Sequence, residues 1–253
     1  MQPANTPVAH APHRPLLNYY GTESDRDTWV GTLFDETAAD YERVTRLMDF
    51  GSGARYRHMA LRRAGLQQAM TVVDVGTGTG LVAREAAQIV GSGHLVTGVD
   101  PSSGMLSQAI VPEGVALLQG SAERIPLADA CADFLCMGYA LRHIGDLTRA
   151  FEEFRRVLKP GGRLCILEIT APAGRVRKFL LRTYMRSIVP ALSRLVASAP
   201  NTPKLMRYYW DTIEACVPPE QVLRTLEHAG FNEVRRHVQG GVLSEYQAVN
   251  PPH

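Results

Sequence analysis

Hydrophobic positions change their spacing twice along the chain and divide it into three regions. From Thr28 to about Ala64, apolar residues recur three and four positions apart, which predicts helices with breaks near Gly31 and at 51–53. From Thr71 onward, short β-branched runs that end in glycine or aspartate alternate with helical segments. After Pro172 the helical spacing returns. The pattern therefore predicts a helical prefix, an α/β core and a helical insertion.

The middle region has the alternation of strands and helices that is typical of a parallel sheet. Strands are predicted at 71–75, 94–100, 115–118, 132–137 and 163–168, and the clearest helices at 81–90 and 147–158. Such alternation implies a mostly parallel sheet with helices on both faces. Two last runs, 232–237 and 242–249, are joined through Gly240 and Gly241. They predict a terminal hairpin that adds antiparallel strands at the sheet edge.

The length of 253 residues suits one α/β domain with accessory helices and is short for two domains. We expect a flexible N-terminal tail over 1–20, because the first fifteen residues contain four prolines and no apolar core. The remainder, 21–253, is expected to form a single domain. Its parts are a helical lid (21–66), a cofactor-binding core (67–170), a helical insertion (171–215) and a C-terminal helix with hairpin (216–253).

Charge and cysteine content narrow the class of protein. The formal net charge of +2 gives no electrostatic argument for a nucleic-acid partner. The four cysteines show no C-x-x-C spacing, which argues against a disulfide framework or a metal site and favours a reducing compartment. No apolar run approaches the roughly 18 residues that span a bilayer. We therefore expect a cytoplasmic protein that holds no metal.

The main chemical signal is Asp74-Val-Gly-Thr-Gly-Thr-Gly80, directly after the first strand. Glycines at 76, 78 and 80 let the backbone turn sharply, approach a ligand and start a helix whose N–H groups are free. Taken alone, the pattern also fits a simple tight turn. Its G-x-G-x-G spacing differs from the G-x-G-x-x-G of dinucleotide sites, which argues against a dehydrogenase.

Asp100 lies twenty residues after Gly80, at the end of the second predicted strand. A carboxylate at this place can accept two hydrogen bonds from ribose hydroxyls. The alternative is a helix N-cap, a role that the nearby Ser102 fits better. We therefore expect Asp100 to bind a ribose.

Further motifs follow the later strands: Ala122-Glu-x-Ile-Pro126, Tyr139-x-Leu-Arg142 and Arg156-Val-Leu-Lys-Pro-Gly-Gly162. With Phe34-Asp-x-x-Ala-Ala-x-Tyr41, their order and spacing resemble class I methyltransferases, and more narrowly the ubiquinone/menaquinone-biosynthesis C-methyltransferases. The resemblance covers about residues 34–240. It implies a Rossmann-like fold, with a mostly parallel seven-stranded sheet and an antiparallel last strand, and S-adenosylmethionine as cofactor.

The resemblance also implies which residues hold the methyl donor. The stretch 74–80 would hold its amino-acid part, Asp100 its ribose, and Met105 an adenine face. Tyr41 would approach the carboxylate from the lid. The full set of expected donor contacts is Tyr41, Asp74, Gly76, Thr77, Gly78, Gly80, Asp100, Pro101, Met105, Ser121, Ala122, Glu123, Gly138 and Tyr139.

On the acceptor side the resemblance implies that Arg142 faces the substrate. Arg142 could stabilise an oxyanion, and His143, whose ordinary pKa is about 6.5, could take or relay a proton. The structural alternatives are a salt bridge at the sheet edge for Arg142 and a partly buried structural histidine for His143. Tyr208, Tyr209 and Trp210 either flank a flat aromatic acceptor or pack in the core.

Three departures from the family pattern leave the acceptor open. Ser121 stands where the family usually has Asp or Asn, and His143 where it usually has Asn. The stretch Gly240-Gly-Val-Leu-Ser-Glu-Tyr246 lacks the usual His-x-Gly motif. We expect methylation of a small aromatic or quinone-like molecule, with carbon favoured. The alternatives are O- or N-methylation of a specialised metabolite, and a non-methylating enzyme or binding protein on the same fold.

Partners beyond the small-molecule acceptor are less well defined by the sequence. Arg175, Lys178, Arg182 and Arg186 recur at helical spacing, so this helix either rests peripherally on anionic lipid or presents a solvated face. We expect no nucleic-acid partner. Self-association stays open.

Overall fold

The computed structural model describes residues 10–48, 51–172 and 174–252. Within these ranges seven strands form one sheet in the order β3-β2-β1-β4-β5-β7-β6. The strands are β1 Val72–Val75, β2 Val96–Asp100, β3 Ala116–Gln119, β4 Ala132–Gly138, β5 Leu158–Ile169, β6 Asn232–Gln239 and β7 Leu243–Val249. Neighbours among β1 to β5 pair in parallel, and β7 pairs antiparallel with both β5 and β6. The predicted sheet class and terminal hairpin are confirmed.

Helices cover both faces of this sheet and continue beyond one end of it. They are α1 Leu17–Tyr20, α2 Arg26–Met48, α3 Gly53–Arg63, α4 Leu81–Val90, α5 Ser103–Ser107, α6 Leu147–Val157, α7 Arg175–Thr183, α8 Val189–Val196, α9 Thr202–Ala215 and α10 Pro219–His228. A π-helical turn, Tyr184–Ile188, joins α7 to α8. The terminal helix and hairpin follow in the order that the sequence predicts.

Two hydrophobic layers enclose the sheet. Side chains of α3 and α4 pack on one face against β1, β4 and β5, and side chains of α6 and α10 pack on the other. β1 is buried over its whole length, as expected for a central strand that is covered on both faces. At the start of α6, the Asp146 side chain accepts hydrogen bonds from two backbone N–H groups of the first turn. Packing on both faces thus fixes the positions of the carboxyl ends of the central strands.

A third layer consists of helices from both ends of the α/β core. α2, α8 and α9 pack together around Leu33, Val44, Val189, Leu205 and Trp210, all of which are buried. The helices of the predicted lid and of the helical insertion therefore pack against each other in one layer, which we call the helical roof. On α7, Lys178 pairs with Glu214, and Arg186 in the π-helical turn pairs with Asp211. Two of the four basic side chains thus have acidic partners on α9.

Two expectations about the N-terminal region are wrong. α2 runs without a break through Gly31, because one glycine costs a helix interior only about 1 kcal/mol. Residues 10–20 are not a free tail: Pro12, His13 and Tyr20 are buried against the domain, and backbone hydrogen bonds fix the segment. The rest of the expected tail, residues 1–9, lies outside the described residues. In the part of the chain that the structure describes, no helix is long and apolar enough to cross a membrane.

Candidate active site

The candidate site lies where the strand order reverses. β1 connects outward to β2 on one side, whereas β4 lies on its other side, so the loops that follow β1 and β4 diverge. A crevice at such a switch point, at the carboxyl ends of parallel strands, is where open α/β sheets bind ligands. Most of the predicted site residues lie at the carboxyl ends of β1, β2 and β4 or in the loops that follow β1 to β4, whereas Tyr41, Tyr208, Tyr209 and Trp210 lie on α2 and α9. The topology brings their loops to one edge of the sheet.

The glycine turn, residues 76–80, adopts the conformation that its sequence predicts. Gly76, Gly78 and Gly80 all have positive φ angles, which side chains with a Cβ rarely adopt. A Cβ at Gly76 would lie 2.6 Å from Ala140 Cβ, so this glycine is required by close approach to the loop after β4. At Gly78 a Cβ would meet no atom within 4 Å. The turn therefore leaves open space beside Gly78, where a ligand can approach the backbone.

The turn also presents the start of α4. Gly80 is the N-cap of this helix and offers no side chain to its first N–H groups. The N–H of Ala83 in this first turn donates to Asp74. The positive end of the helix dipole still makes such a terminus suited to a carboxylate or another anionic group. In addition, the Thr79 hydroxyl is buried and has no hydrogen-bond partner in the part of the chain that the structure describes. A polar ligand in this turn would supply the missing partners.

Asp74 supports the glycine turn from beneath. Its carboxylate is fully buried and accepts hydrogen bonds from the Thr77 hydroxyl at 2.7 Å and from the Cys136 thiol at 3.4 Å. Burial raises the pKa of Asp74 to about 7, and these hydrogen bonds oppose the shift. Since both oxygens are engaged by the protein, Asp74 and Thr77 hold the shape of the turn.

Asp100 ends β2 beside this turn. Its two carboxylate oxygens accept hydrogen bonds from the backbone N–H groups of Gly78 at 2.8 Å and Ser102 at 2.9 Å. Burial raises the pKa of Asp100 to about 6, and the two N–H donors oppose the shift. The N-cap of α5 is Ser102, whose hydroxyl accepts from the N–H of Met105. Asp100 is therefore free of that capping role and is fixed against the glycine turn, as a ribose-binding carboxylate would be.

The segments after β2 and β3 complete the expected donor side. Met105 is buried, whereas Pro101 is exposed. Ser121 and Ala122 are half-buried in the turn that follows β3. The Glu123 carboxylate accepts hydrogen bonds from the N–H groups of Gly145 and, more weakly, Asp146. Glu123 thus ties the loop after β3 to the loop after β4.

Arg142, expected to face the acceptor, is fully buried. Its guanidinium pairs with Glu168 of β5 at 2.5 Å and donates to the Tyr139 carbonyl at 2.8 Å and the Thr212 hydroxyl at 3.2 Å. It also lies over the Tyr209 ring, 4.8 Å from the centroid. Burial raises the pKa of the Glu168 carboxyl, which the adjacent guanidinium partly offsets. The structure therefore shows the salt bridge that was the alternative for Arg142. The guanidinium lies against the ring of Tyr209, a member of the aromatic cluster described next.

His143 lies in a group of rings that we call the aromatic cluster: Phe34, Tyr41, His143, Tyr208 and Tyr209. The imidazole stacks on Tyr208 with the centroids 5.5 Å apart, and it contacts the rings of Phe34 and Tyr209 at 5.2 and 5.8 Å. His143 as a whole is half-buried, but both ring nitrogens are buried and lack hydrogen-bond partners among the described residues. Burial and the charge of Arg142 lower the pKa of His143 well below 6.5. The imidazole is neutral at physiological pH.

The remaining aromatic residues separate into two groups. Tyr41 lies in the aromatic cluster, where its hydroxyl is hydrogen bonded to that of Tyr209. Trp210 is fully buried in the helical roof, and its indole N–H donates to Glu214 of the same helix. Successive residues on a helix point about 100° apart. Trp210 therefore points away from the aromatic cluster, to which Tyr208 and Tyr209 belong, and it packs within the helical roof.

The sequence profile of the ubiE/COQ5 methyltransferase family matches residues 22–250. The chain belongs to this family. A "Ubiquinone/menaquinone biosynthesis C-methyltransferase UbiE" from Syntrophotalea carbinolica is 36% identical over 220 residues, which cover 85% of this chain and 91% of the relative. A "Demethylmenaquinone methyltransferase" from a Mycobacterium species is 30% identical over 227 residues, covering 88% and 94%.

Solved structures agree on the fold. A methyltransferase from Thermotoga maritima described as a possible histamine N-methyltransferase superposes with a TM-score of 0.60 at 23% identity, covering 87% of this chain and 98% of the other. A phosphoethanolamine N-methyltransferase of Haemonchus contortus in complex with S-adenosylmethionine gives 0.56 at 17% identity, covering 85% and 60%. The protein is thus an enzyme, an S-adenosylmethionine-dependent methyltransferase with the class I fold.

The residues around the glycine turn fit S-adenosylmethionine. Open space at Gly78, a buried Thr79 hydroxyl without a partner among the described residues, and the Asp100 carboxylate bonded to the N–H of Gly78 lie side by side. Sequence reasoning did not identify Glu168 or His13, whose side chains lie beside Arg142 in the fold. Glu168 is the one charged residue in the otherwise apolar second half of β5, residues 164–169, and that exception was the available signal. His13 had no comparable signal.

Proposed function

We propose that this enzyme transfers the methyl group of S-adenosylmethionine to a ring carbon of a small hydroquinone. The observation that carries the proposal is the surrounding of His143, where flat aromatic rings enclose a neutral imidazole with two unpartnered nitrogens. Flat rings suit an aromatic acceptor, and the unpartnered nitrogens suit its hydroxyl groups. The names of the two relatives support a quinone-type acceptor.

Bound S-adenosylmethionine supplies a methyl group that is already activated on a sulfonium sulfur. What the protein must add is orientation and control of the acceptor's protons. Loss of a hydroxyl proton makes the acceptor a phenolate, whose neighbouring ring carbon forms the new bond to the methyl carbon while the sulfur–methyl bond breaks. That ring carbon then loses its own proton to solvent water, which restores the aromatic ring.

His143 is the group that we assign to the hydroxyl proton. Because burial keeps the imidazole neutral, a ring nitrogen can accept this proton. The lowered pKa makes the imidazole a weak base, so His143 relays the hydroxyl proton to solvent water and does not keep it. Arg142 stabilises the phenolate from behind the Tyr209 ring, since its charge lies in a buried environment where electrostatic effects are strong. Glu168 keeps this guanidinium in place.

The test is methylation of a naphthalene-1,4-diol that carries one prenyl group at carbon 2, measured without oxygen in single turnover. His143→Ala is expected to lower the rate on the order of a hundredfold or more, and His143→Asn less, because an amide can still bind a relaying water. His237→Asn, on the exposed edge strand, is the matched control. Affinity for S-adenosylhomocysteine should stay within about threefold in all three variants.

Analysis of the product by NMR separates the proposal from its rivals. A methyl group on a ring carbon supports it, whereas a methoxy product supports the O-methyltransferase alternative. Failure of the wild-type enzyme to methylate the diol contradicts the proposed acceptor class. Full activity of His143→Ala contradicts the role of the histidine and leaves the acceptor class standing.

A further inference from the structure

The large apolar side chains of α7 point outward. Val176 is 72% exposed, Phe179 66% and Leu180 61%, and we call these three residues the apolar stripe. No residue of α7 is buried. A surface helix of a soluble domain normally turns its apolar side toward the core. The amphipathic pattern of α7 is therefore inverted.

Arginines border the apolar stripe on both sides. Successive residues of a helix point about 100° apart. On this count Arg175 and Arg182 lie along one side of the stripe, and Arg177 lies along the other. Lys178 and Leu181 fall on the opposite side of the helix, in agreement with their partial burial. The stripe is thus a narrow apolar surface between two rows of positive charge.

The inward side of α7 is fixed to the helical roof. Leu181 packs against the third hydrophobic layer, and the Lys178 ammonium lies 3.1 Å from the Glu214 carboxylate of α9. Rotation of α7 to bury the stripe would break both contacts. The outward direction of the stripe is therefore part of the folded structure.

Exposed apolar side chains are not confined to α7. Ile188 in the π-helical turn and Leu192 on α8 are exposed as well. A groove of about 500 Å³ lies between α7 and the turn that joins β6 to β7, and it is lined by Pro172, Arg177, Leu180, Leu181, Gly240 and Val242. Exposed apolar surface of this extent on a soluble protein marks an interaction site.

The charge of this segment is all of one sign. Residues 174–200 contain six basic residues and no acidic residue. Two of the six pair with acids of α9, and Arg182 lies close enough to Glu214 for their charges to interact. Arg175 and Arg177 are exposed and form no ion pair within the described ranges. The partner of this surface should therefore be anionic.

We propose that α7 docks on an anionic lipid bilayer, with the apolar stripe inserted at the level of the upper acyl chains and the bordering arginines against lipid phosphates. An exposed apolar side between cations is the pattern of helices that lie in the plane of a bilayer surface. A second copy of the chain fits less well, because a symmetric contact through α7 would bring the unpaired arginines of two molecules together. The inference goes beyond the proposed function and does not depend on the identity of the methyl acceptor.

Co-sedimentation of the full chain with lipid vesicles tests the docking. One set of vesicles is phosphatidylcholine with about one third phosphatidylglycerol, and the other is phosphatidylcholine alone. Binding to the anionic vesicles should be at least about tenfold tighter, because each arginine near an anionic surface adds attraction that neutral lipid lacks. A rise in salt concentration from about 0.05 M to about 0.5 M should weaken this binding about tenfold or more, since salt screens the charges.

The contribution of the apolar stripe is measured with a double variant. Phe179→Ser with Leu180→Ser should weaken binding to anionic vesicles at least about tenfold, because two apolar side chains no longer leave water. Met59→Ser with Ile110→Ser is the matched control, since it removes two exposed apolar side chains outside α7. The control should bind the vesicles as the wild-type protein does.

The contribution of the arginines is measured in the same way. Arg175→Gln with Arg177→Gln should weaken binding to anionic vesicles about tenfold and leave the weaker binding to neutral vesicles unchanged. Arg55→Gln with Arg62→Gln, at exposed positions of α3, removes the same charge and should have little effect. All substituted side chains are exposed, so thermal melting curves should show folded variants.

A tryptophan in the stripe reports insertion directly. With anionic vesicles whose acyl chains carry bromine, the added fluorescence of Phe179→Trp should be quenched and shifted to shorter wavelength. Ile110→Trp should show neither change. The signal of the wild-type protein, from Trp29 and Trp210, is subtracted in both cases.

The outcomes decide the proposal without any methylation assay, so it can fail while the proposed function stands, and the reverse. Absence of wild-type binding to anionic vesicles at low salt overturns it. Equal vesicle binding by the wild-type protein and both α7 double variants also overturns it, because the lipid contact then lies elsewhere. A wild-type dimer in sedimentation velocity that Phe179→Ser with Leu180→Ser abolishes, together with no vesicle binding, assigns the stripe to a second copy of the chain instead.

Discussion

Replacement of Arg142 by Met separates the structural contribution of the guanidinium from its contribution to the reaction. Arg142 and Glu168 are 1% and 2% exposed, and their charged groups are 2.5 Å apart. Arg142→Met leaves the Glu168 carboxylate buried without its counter-charge. Breaking a buried pair in this way costs about 3–5 kcal/mol. For a chain of this size, each kcal/mol corresponds to about 2–4 °C in Tm.

The double variant Arg142→Met with Glu168→Leu removes the charge that the single variant leaves unpaired. Replacement of a buried ion pair by apolar side chains of similar size is often neutral or stabilising. We therefore expect the double variant to be more stable than Arg142→Met by at least about 2 kcal/mol. The free energy of unfolding is obtained from urea titrations followed by far-ultraviolet circular dichroism.

The pH dependence gives an independent check on the same variant. In Arg142→Met the pKa of Glu168 is raised further, because the guanidinium that opposed the effect of burial is absent. An acid whose pKa is raised in the folded state stabilises the fold at low pH, and that stability is lost as the pH rises through the folded-state pKa. The deficit of Arg142→Met relative to the wild-type protein should therefore be larger at pH 8 than at pH 6.

The methylation rate tells whether the positive charge also serves the reaction. If it does, the double variant stays on the order of a hundredfold slower than the wild-type enzyme although its stability is recovered. Recovery of the rate together with stability would assign Arg142 a purely structural role. Two results would contradict the expected energetics of the buried ion pair. One is a loss of less than about 1 kcal/mol in the free energy of unfolding for Arg142→Met, and the other is a double variant that is no more stable than the single one.

Two further predictions concern the donor side of the site. Asp100→Ala should weaken S-adenosylhomocysteine binding at least tenfold, since two charge-assisted hydrogen bonds of about 1.5–3 kcal/mol each are expected to be lost. Because burial raises the pKa of Asp100 to about 6, wild-type affinity should fall as the pH drops below 6, and calorimetry should find no such fall in Asp100→Asn. Gly78→Val should remove donor binding. Gly91 also has positive φ and open space where a Cβ would lie, so Gly91→Val is the control and should show only the loss of stability. Equal donor affinity in the two variants would contradict the assignment of the glycine turn.

Local sequence signals predicted the core of the fold well. The strand and helix on either side of the glycine turn were located within one residue, because β-branched residues, glycines and apolar spacing at 71–90 all favour the same elements. The N-cap at Ser102 is observed as expected, because its hydroxyl accepts from the N–H of Met105. Ribose binding by Asp100 stays a prediction. The alternation of strands and helices predicted a mostly parallel sheet, and the family resemblance implied its seven strands with an antiparallel last strand.

Long-range contacts account for what the sequence could not predict. Residues 10–20 were expected to be a tail, but contacts with distant segments hold them. Backbone N–H groups of Leu147 and Val217 donate to their carbonyls, and Leu16 and Tyr19 pack against the third hydrophobic layer. Arg142 was expected to face the acceptor, but its partner Glu168 lies 26 positions further along the chain, at the end of the next strand. The low pKa of His143 likewise depends on the rings and charges packed around it. Such properties arise only when distant segments meet.

The outer strand of the sheet affects how the protein behaves at high concentration. β6 is an edge strand, and an exposed edge can pair with the same edge of another molecule. Arg235 and Arg236 stand on β6 and are held there by hydrogen bonds from their guanidinium groups to Gln247 and Ser244 of β7. Antiparallel addition of a second β6 would bring these positive charges together. Salt screens such repulsion over about 8–10 Å, so edge-to-edge aggregation becomes more favourable as ionic strength rises.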